Sequence, residues 1–305
     1  MPQALAQNYP TRPLRMIVGF PPGGPTDMIA RLVGQHLNET LGQPVVIDNR
    51  PGAGGSVAGL LMSKAAADGH TLFVASNGEI AISPNLYKKM AYDTERDIAP
   101  VSLIGGTQLV LMVHPLVPAQ SVNDLLALAR AKPGTINFAS SGVGSTAQLA
   151  TELLKFTTGV DMVHVPYKGA GPALTETMGG QVQMLITGFA AAQTHIRSGK
   201  LRALGLTGRT RVKAMPELPT IGESVPGYHM MSWYGLFTTV GTPVTIINRL
   251  QGEVAGMLKR QDFYDKFVGL GMEPEGTTSQ AFALSIKEEK AKWAKVIKMA
   301  GVPLQ

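Results

Sequence analysis

A chain of 305 residues is long enough for one large core or two domains, and at 44% hydrophobic and 16% charged it reads as globular, not disordered. Its 27 basic and 21 acidic residues give a formal charge of +6 with no long basic run and 6% aromatics, which argues against nucleic acid and suits small anionic ligands. The absence of cysteine excludes disulfides, thiolate chemistry and thiolate metal sites, and no apolar run reaches the about 18 residues that span a bilayer.

At the N-terminus Ala4-Leu5-Ala6-Gln7 looks like the cleavage end of a secretory signal whose basic and apolar regions are missing here, and it predicts export. Leu14-Arg15-Met16-Ile17-Val18 reads as a strand, after which Met28, Ile29, Leu32, Val33, His36 and Leu37 recur at helical spacing. Between them lies Phe20-Pro21-Pro22-Gly23-Gly24-Pro25-Thr26-Asp27. Gly24 fits the N-cap, Pro25 the first helical position and Asp27 the third, as a capping carboxylate. Such a turn presents unpaired N–H groups at the positive end of a helix dipole, suited to a carboxylate or a phosphate; otherwise it serves chain geometry alone. The strand 45–48 leads into Asn49-Arg50-Pro51-Gly52-Ala53-Gly54-Gly55-Ser56, and the strand 72–75 into Ser76-Asn77-Gly78-Glu79. Three successive strand-to-helix turns imply a parallel sheet with its functional edge at the strand C-termini. Residues 84–100 read as a surface excursion.

A crossing near Ile104-Gly105-Gly106 ends at His114-Pro115, and Ser121 with Asp124 starts a helix carrying Leu125, Leu126 and Leu128. The strand 136–139 runs into Ser140-Ser141-Gly142-Val143-Gly144-Ser145-Thr146, followed by a helix striped with Leu149, Leu153, Leu154 and Phe156. This repeats the opening motif with more hydroxyls, which either donate to an oxyanion or cap the helix. Strands are predicted over 162–165, before Pro166-Tyr167-Lys168-Gly169, over 182–186, before a turn opened by Thr187-Gly188, and over 201–206. Residues 216–227 are turn-like and 233–239 form an extended return crossing. A helix with Ile246, Ile247, Leu250 and Val254 follows, then a long final one behind Thr278 with Phe282, Ile286, Trp293 and Ile297. The pattern predicts two α/β units, the second, 106–235, inserted into the first, 7–105 with 236–305.

No nucleophile elbow, zinc-protease motif, Walker sequence or dinucleotide fingerprint is present. The six histidines lack ligand spacing, so neither a metal nor a cofactor is expected, and Asp27 is better placed to hold a turn than to act as a base. Tyr167 either stacks on a ligand or rims the site, Lys168 either offers charge or is an ordinary surface lysine, and Phe189 and Trp233 are core aromatics or cleft walls. This breadth of negative evidence favours binding over turnover.

Taken together, these motifs make the chain resemble the Bug, or TctC-like, extracytoplasmic receptors of tripartite tricarboxylate transporters along nearly its whole length. The match begins at Tyr9-Pro10-Thr11-Arg12-Pro13 and runs through Ile17-Val18-Gly19-Phe20-Pro21-Pro22-Gly23-Gly24-Pro25-Thr26-Asp27 and Val46-Ile47-Asp48-Asn49-Arg50-Pro51-Gly52-Ala53-Gly54-Gly55. It continues with Asn137-Phe138-Ala139-Ser140-Ser141-Gly142, Val163-His164-Val165-Pro166-Tyr167-Lys168-Gly169 and Lys292-Trp293-Ala294-Lys295-Val296. The resemblance implies a periplasmic binding protein of type II topology, α/β, with two domains, a hinge and a ligand cleft between them. Its ligand would be a small carboxylate, either a di- or tricarboxylate or an aromatic acid, and its partner an integral membrane permease. One carboxylate would be gripped by Ser140, Ser141, Gly144, Ser145 and Thr146. Ordered waters would bridge to Pro22, Gly23, Gly24 and Asp27, with Ser76 and Asn77 also facing the cleft and Trp233 bordering it.

Two departures from the family pattern bear on the ligand. Gln148 stands where the family often has His, and Thr187, ahead of Gly188, where it often has Asp. Losing that Asp disfavours a ligand with an ammonium group, so the choice of ligand is expected to rest with Gln148, Thr187 and the cleft aromatics. Gly78-Glu79-Ile80 is also less typical, leaving Glu79 either to contact a ligand hydroxyl or to face solvent. A sensor subunit presenting its loaded form to a membrane kinase would use the same binding chemistry, whereas a hydrolase would need an oriented nucleophile that the sequence does not display. A monomer is expected.

Overall fold

The structure, a computed structural model, describes residues 9–213 and 215–304, so the signal-like Ala4-Leu5-Ala6-Gln7 lies outside the described residues. The chain divides into two compact units. The first comprises residues up to Gly106 together with Trp233–Ala294, and the second Thr107–Ser232 together with Lys295–Pro303.

In chain order, β1 (Leu14–Val18) leads to α1 (Pro25–Leu41), β2 (Val45–Asn49) to α2 (Ser56–Ser63), and β3 (Thr71–Ser76) through a π-helical turn (Gly78–Ile82) to α3 (Ser83–Leu86). The long strand β4 (Ile98–Val113) carries the chain into the second unit. There α4 (Val122–Ala131), β5 (Asn137–Ser140), α5 (Thr146–Thr158), β6 (Val163–Pro166), α6 (Ala170–Met178), β7 (Met184–Gly188), α7 (Phe189–Arg197), β8 (Arg202–Leu206) and α8 (Ile221–Ser224) follow. The chain returns along β9 (Met231–Thr239) and ends with α9 (Val244–Lys259), α10 (Gln261–Gly269), β10 (Met272–Pro274) and α11 (Ser279–Met299).

Unit 1 carries the strand order β2-β1-β3-β9, with β1 parallel to both β2 and β3, and β9 antiparallel to β3. Three parallel strands aligned this way bring their C-terminal turns to one edge. Strand β1 is buried on both faces save Arg15, which explains why it reads as an apolar run instead of an alternation. Helix α1 starts on an extended Gly24 with Pro25 in its first turn and stops on Gly42, whose positive φ of 70° suits a residue without a Cβ. Its Ile29, Val33 and Leu37, spaced four apart, enter a core with Leu14, Met16, Val18, Leu72, Val74, Leu250, Phe263 and Phe267. Trp293 and Phe282 of α11 are fully buried too.

Unit 2 repeats the arrangement. Strand β5 is parallel to both β6 and β7, so the turns after Ser140, Pro166 and Gly188 share one edge, and β7 and β8 run antiparallel to the second half of β4. Its core gathers Val110, Met112, Ala139, Leu174, Leu185, Phe189, Leu201 and Leu206. Helix α4 begins as its sequence predicts, with Ser121 Oγ accepting from Asp124 N at 3.1 Å.

Two local expectations are corrected, and one unassigned segment proves to be structured. The excursion expected at 84–100 is anchored and not wholly superficial: Leu86, Tyr92 and Thr94 are buried among exposed neighbours, and so are Ile80, Ile82 and Ser83 just before it, where the turn after β3 winds directly into helix. Thr187 and Gly188 do not open a turn but are the last two residues of β7, paired with Val110 and Leu109. Residues 261–274, left unassigned by the pattern, form α10 and β10. Only Phe263 and Phe267 of α10 are buried, too few apolar positions to mark a helix in the sequence.

Candidate functional site

The turn that follows β1 is built around Asp27. Although this carboxylate sits in the first turn of α1, it is 1% exposed, and neither oxygen is left over. Asp27 Oδ2 accepts from Gly23 N at 2.9 Å and Arg31 Nε at 2.8 Å, while Oδ1 accepts from Asn49 Nδ2 at 3.0 Å and Arg31 Nη2 at 3.1 Å. Asn49 Nδ2 also donates to Phe20 O at 2.9 Å, so the residue closing β2 braces the turn closing β1. Burial pushes the Asp27 acid up. The hydrogen bonds from Arg31, Gly23 and Asn49, with the Arg31 charge, outweigh it and hold the group below the ordinary carboxylate range. Asp27 therefore holds its own turn with both oxygens, leaving Pro22 and Gly23 exposed and Gly24 half-buried at the start of the helix.

The next turn of unit 1 contains Ser76 and Asn77, both buried, and Glu79, which is buried and not solvent-facing. Glu79 Oε2 accepts from Ser76 N at 2.8 Å and Ser76 Oγ at 3.2 Å. Trp233 is also buried; its Nε1 donates to Glu289 Oε2 at 2.7 Å, and its ring meets Phe282 edge-on at 5.2 Å between centroids.

In unit 2 the hydroxyl-rich segment 140–146 is a capped helix start. Ser145 is the N-cap of α5, with Oγ accepting from Gln148 N at 3.3 Å, and Gln148 Oε1 reaches back to accept from Gly144 N at 2.7 Å. Gln148 and the Gly144 amide thus satisfy each other. The other first-turn amides of α5, which have no intrahelical acceptor, lie at the positive end of the helix beside the half-buried Ser141, Ser145 and Thr146. Ser140 is completely buried. Its Oγ accepts from Gly142 N at 3.1 Å and donates to Gly142 O at 3.0 Å, while His164 Nε2 lies 2.6 Å away. With that proton committed to Gly142 O, the bond that fits is His164 Nε2–H donating to Oγ. Burial and the Lys155 charge lower the His164 pKa, which favours the neutral imidazole, and its ring stacks on Phe138. A serine held this way is a brace for its turn and not a nucleophile.

The loop after β6 is tied to the same turn: Tyr167 N donates to Ser140 O at 3.0 Å and Gly169 N to Ser141 O at 3.2 Å. This sets Tyr167 half-buried and Lys168 exposed beside the helix start. From the adjacent parallel strand, Thr187 is buried, Gly188 is the N-cap of α7, and Phe189 packs into the unit 2 core. The expected residues therefore form two groups: Pro22, Gly23, Gly24, Asp27, Ser76, Asn77 and Trp233 in unit 1, and the remainder in unit 2. Sequence reasoning missed Asn49 and His164, braces that lie 22 and 24 residues from the groups they hold. Among the described residues no group of three or more His, Asp or Glu is placed to hold a metal ion, and no helix is long and apolar enough to cross a membrane.

Helix starts with hydroxyls and amides at strand C-termini, with the exposed Arg31 on one and the exposed Lys168 beside another, suit a small anion. Comparison with known proteins points the same way. Residues 29–302 match the TctC family, the tripartite tricarboxylate transporter family receptors. The chain is 37% identical to protein BugT of Bordetella pertussis over 302 residues, covering 98% of this chain and 93% of that one. Among solved structures it is similar to R. palustris Rpa4515 with adipate (38% identity, 97% of this chain and 99% of that one, TM-score 0.79). It is also similar to MatC from Rhodopseudomonas palustris with bound malate (32% identity, 95% and 100%, TM-score 0.74). The chain belongs to the TctC/Bug family of periplasmic solute-binding receptors. It has the two-domain α/β fold typical of type II periplasmic binding proteins, and it serves a tripartite tricarboxylate membrane transporter as a receptor, not as an enzyme.

Proposed function

We propose that this receptor captures a dicarboxylate whose body carries no positive charge. The observation that carries the proposal is the start of α5, where Ser141, Ser145 and Thr146 surround first-turn amides next to the exposed Lys168. Hydroxyls, amides and a helix dipole together suit one carboxylate group. Unit 1 supplies a second set of candidate contacts: the turn of Pro22, Gly23 and Gly24, reached through ordered water because Pro22 has no N–H and Gly23 N already donates to Asp27, and the turn of Ser76 and Asn77. Thr187 supplies no negative charge to pair with an ammonium group, which separates such a solute from an acidic amino acid. The relatives seen with adipate and malate support the dicarboxylate class.

Thermal-shift and calorimetric titrations with adipate, malate, citrate, glutamate, benzoate and nicotinate test this. A ligand at about 100 times its Kd stabilises the folded state by about 2.7 kcal/mol, a readily measured rise in midpoint. Adipate or malate is expected to shift the midpoint and glutamate is not. A shift by glutamate alone, or by none of the six at millimolar concentration, would overturn the proposal.

A further inference from the structure

Glu79 is fully buried like Asp27, but unlike Asp27 it has one oxygen unexplained by pairing. While Oε2 accepts from Ser76 N and Ser76 Oγ, Oε1 has no hydrogen-bond partner among the described residues, and no Lys, Arg or His pairs with the group. Its position is instead set by shape. A Cβ on Gly19, after β1, or on Gly55, before α2, would collide with Glu79 Oε1. Oε1 therefore fills a hollow that exists because both neighbours are glycine. Above it, Tyr92 leans against Gly59 of α2, and its hydroxyl donates to Glu79 O at 3.4 Å. The β1 and α2 turns face Glu79 with backbone, β3 with the Ser76 hydroxyl, and the 92 segment with the Tyr92 phenol, the titratable neighbour.

We propose that Glu79 is a positioning residue for the solute turns of unit 1, a buried carboxyl that clamps Ser76 with one oxygen and wedges the β1 and β2 turns with the other, and that a full charge on it unlocks the turn. The inference rests on the reading of Ser76 and Asn77 as solute-facing. An ionised carboxylate with one bare oxygen and no cation is costly to bury, so deprotonation drives the side chain towards water and releases Ser76. Burial raises the Glu79 acid to about 8, against the two bonds from Ser76 that pull it down. Because the folded value lies above the unfolded one, the protonated group stabilises the fold fully below the unfolded carboxyl range. That contribution drains away as pH rises and is gone once pH has passed through the folded value.

The test compares the wild type with Glu79→Gln and Glu79→Ala. Between about pH 5 and about pH 8, the wild-type unfolding constant should rise about tenfold per pH unit relative to Glu79→Gln, which cannot ionise. Affinity for adipate should fall several-fold in the wild type between about pH 6.5 and about pH 9, hold constant in Glu79→Gln, and be weak throughout in Glu79→Ala. Parallel stability profiles for wild type and Glu79→Gln would overturn the inference, as would adipate affinities that track one another across pH. If the glutamine variant does not fold, infrared difference spectra of the wild type decide the matter. A protonated-carboxyl band lost as pH passes about 8 supports the proposal, and its absence at neutral pH refutes it. A wild type that binds no dicarboxylate defeats the functional reading, and the stability slope still decides whether Glu79 is the wedge.

Discussion

Replacing Asp27 by asparagine keeps its shape and removes its charge, and the structure indicates what that costs. Four hydrogen bonds converge on the carboxylate, from Gly23, Asn49 and twice from Arg31. A bond to a charged group contributes about 1.5–3 kcal/mol when its partners cannot re-solvate. Arg31 is 54% exposed and Gly23 lies on the surface, so water takes over most of what they lose. Asn49 Nδ2 is part-buried between Asp27 and Phe20 O and recovers less. The expected destabilisation of Asp27→Asn is therefore about 2 kcal/mol, one strongly felt bond plus a remainder from the exposed ones. Urea denaturation measured in parallel for both proteins reads it as a lower midpoint with unchanged slope. Because the folded Asp27 acid is depressed, its contribution is present above the unfolded carboxyl value and disappears as pH falls through the folded one, so the two midpoints should converge in acid. A variant within about 0.5 kcal/mol of wild type near neutrality, or a gap that persists in acid, would refute the account.

Ser145→Ala removes the cap of α5 and should cost about 1 kcal/mol in stability while weakening adipate binding measured by calorimetry; unchanged affinity would remove Ser145 from the site. Thr187→Asp should place a like charge near the bound carboxylate and lower adipate affinity by about tenfold, equivalent to about 1.4 kcal/mol, while glutamate loses less, as competition titrations will show. Gly19→Ala should destabilise by about 1–3 kcal/mol by overpacking against Glu79 Oε1 and Gly55 Cα, with part of that cost absent in a Glu79→Ala background; strict additivity in the double-mutant cycle would deny the wedge.

The repeated strand-turn-helix units were readable in the sequence because parallel strands are short apolar runs and because Gly24, Ser121 and Ser145 mark helix starts at predictable offsets. What joins one turn to another was not. Asp27 with Asn49, and Ser140 with His164, meet only because neighbouring parallel strands bring their ends to one edge, a consequence of register that local composition does not encode. Glu79 misled for a related reason. A carboxylate beside a polar turn reads as surface, and the hollow that accepts it is made by glycines 60 and 24 residues upstream. Gln148 stood out by its position after a hydroxyl-rich turn, yet its side-chain carbonyl is turned to the Gly144 amide.

The chain has two tryptophans, and both lie where it changes unit: Trp233 is the first residue of the returning segment, and Trp293 the last but one before the chain leaves again. Both are buried, Trp233 with its indole nitrogen bound to Glu289 and Trp293 with the Lys292 ammonium 4.8 Å from its ring centre. Ultraviolet emission from the unlabelled protein is therefore dominated by the chain crossings and by two charged neighbours that tune its colour and yield. A solute that alters the backbone at those crossings can be titrated by watching the protein glow, with Trp233→Phe and Trp293→Phe assigning the signal to one crossing or the other.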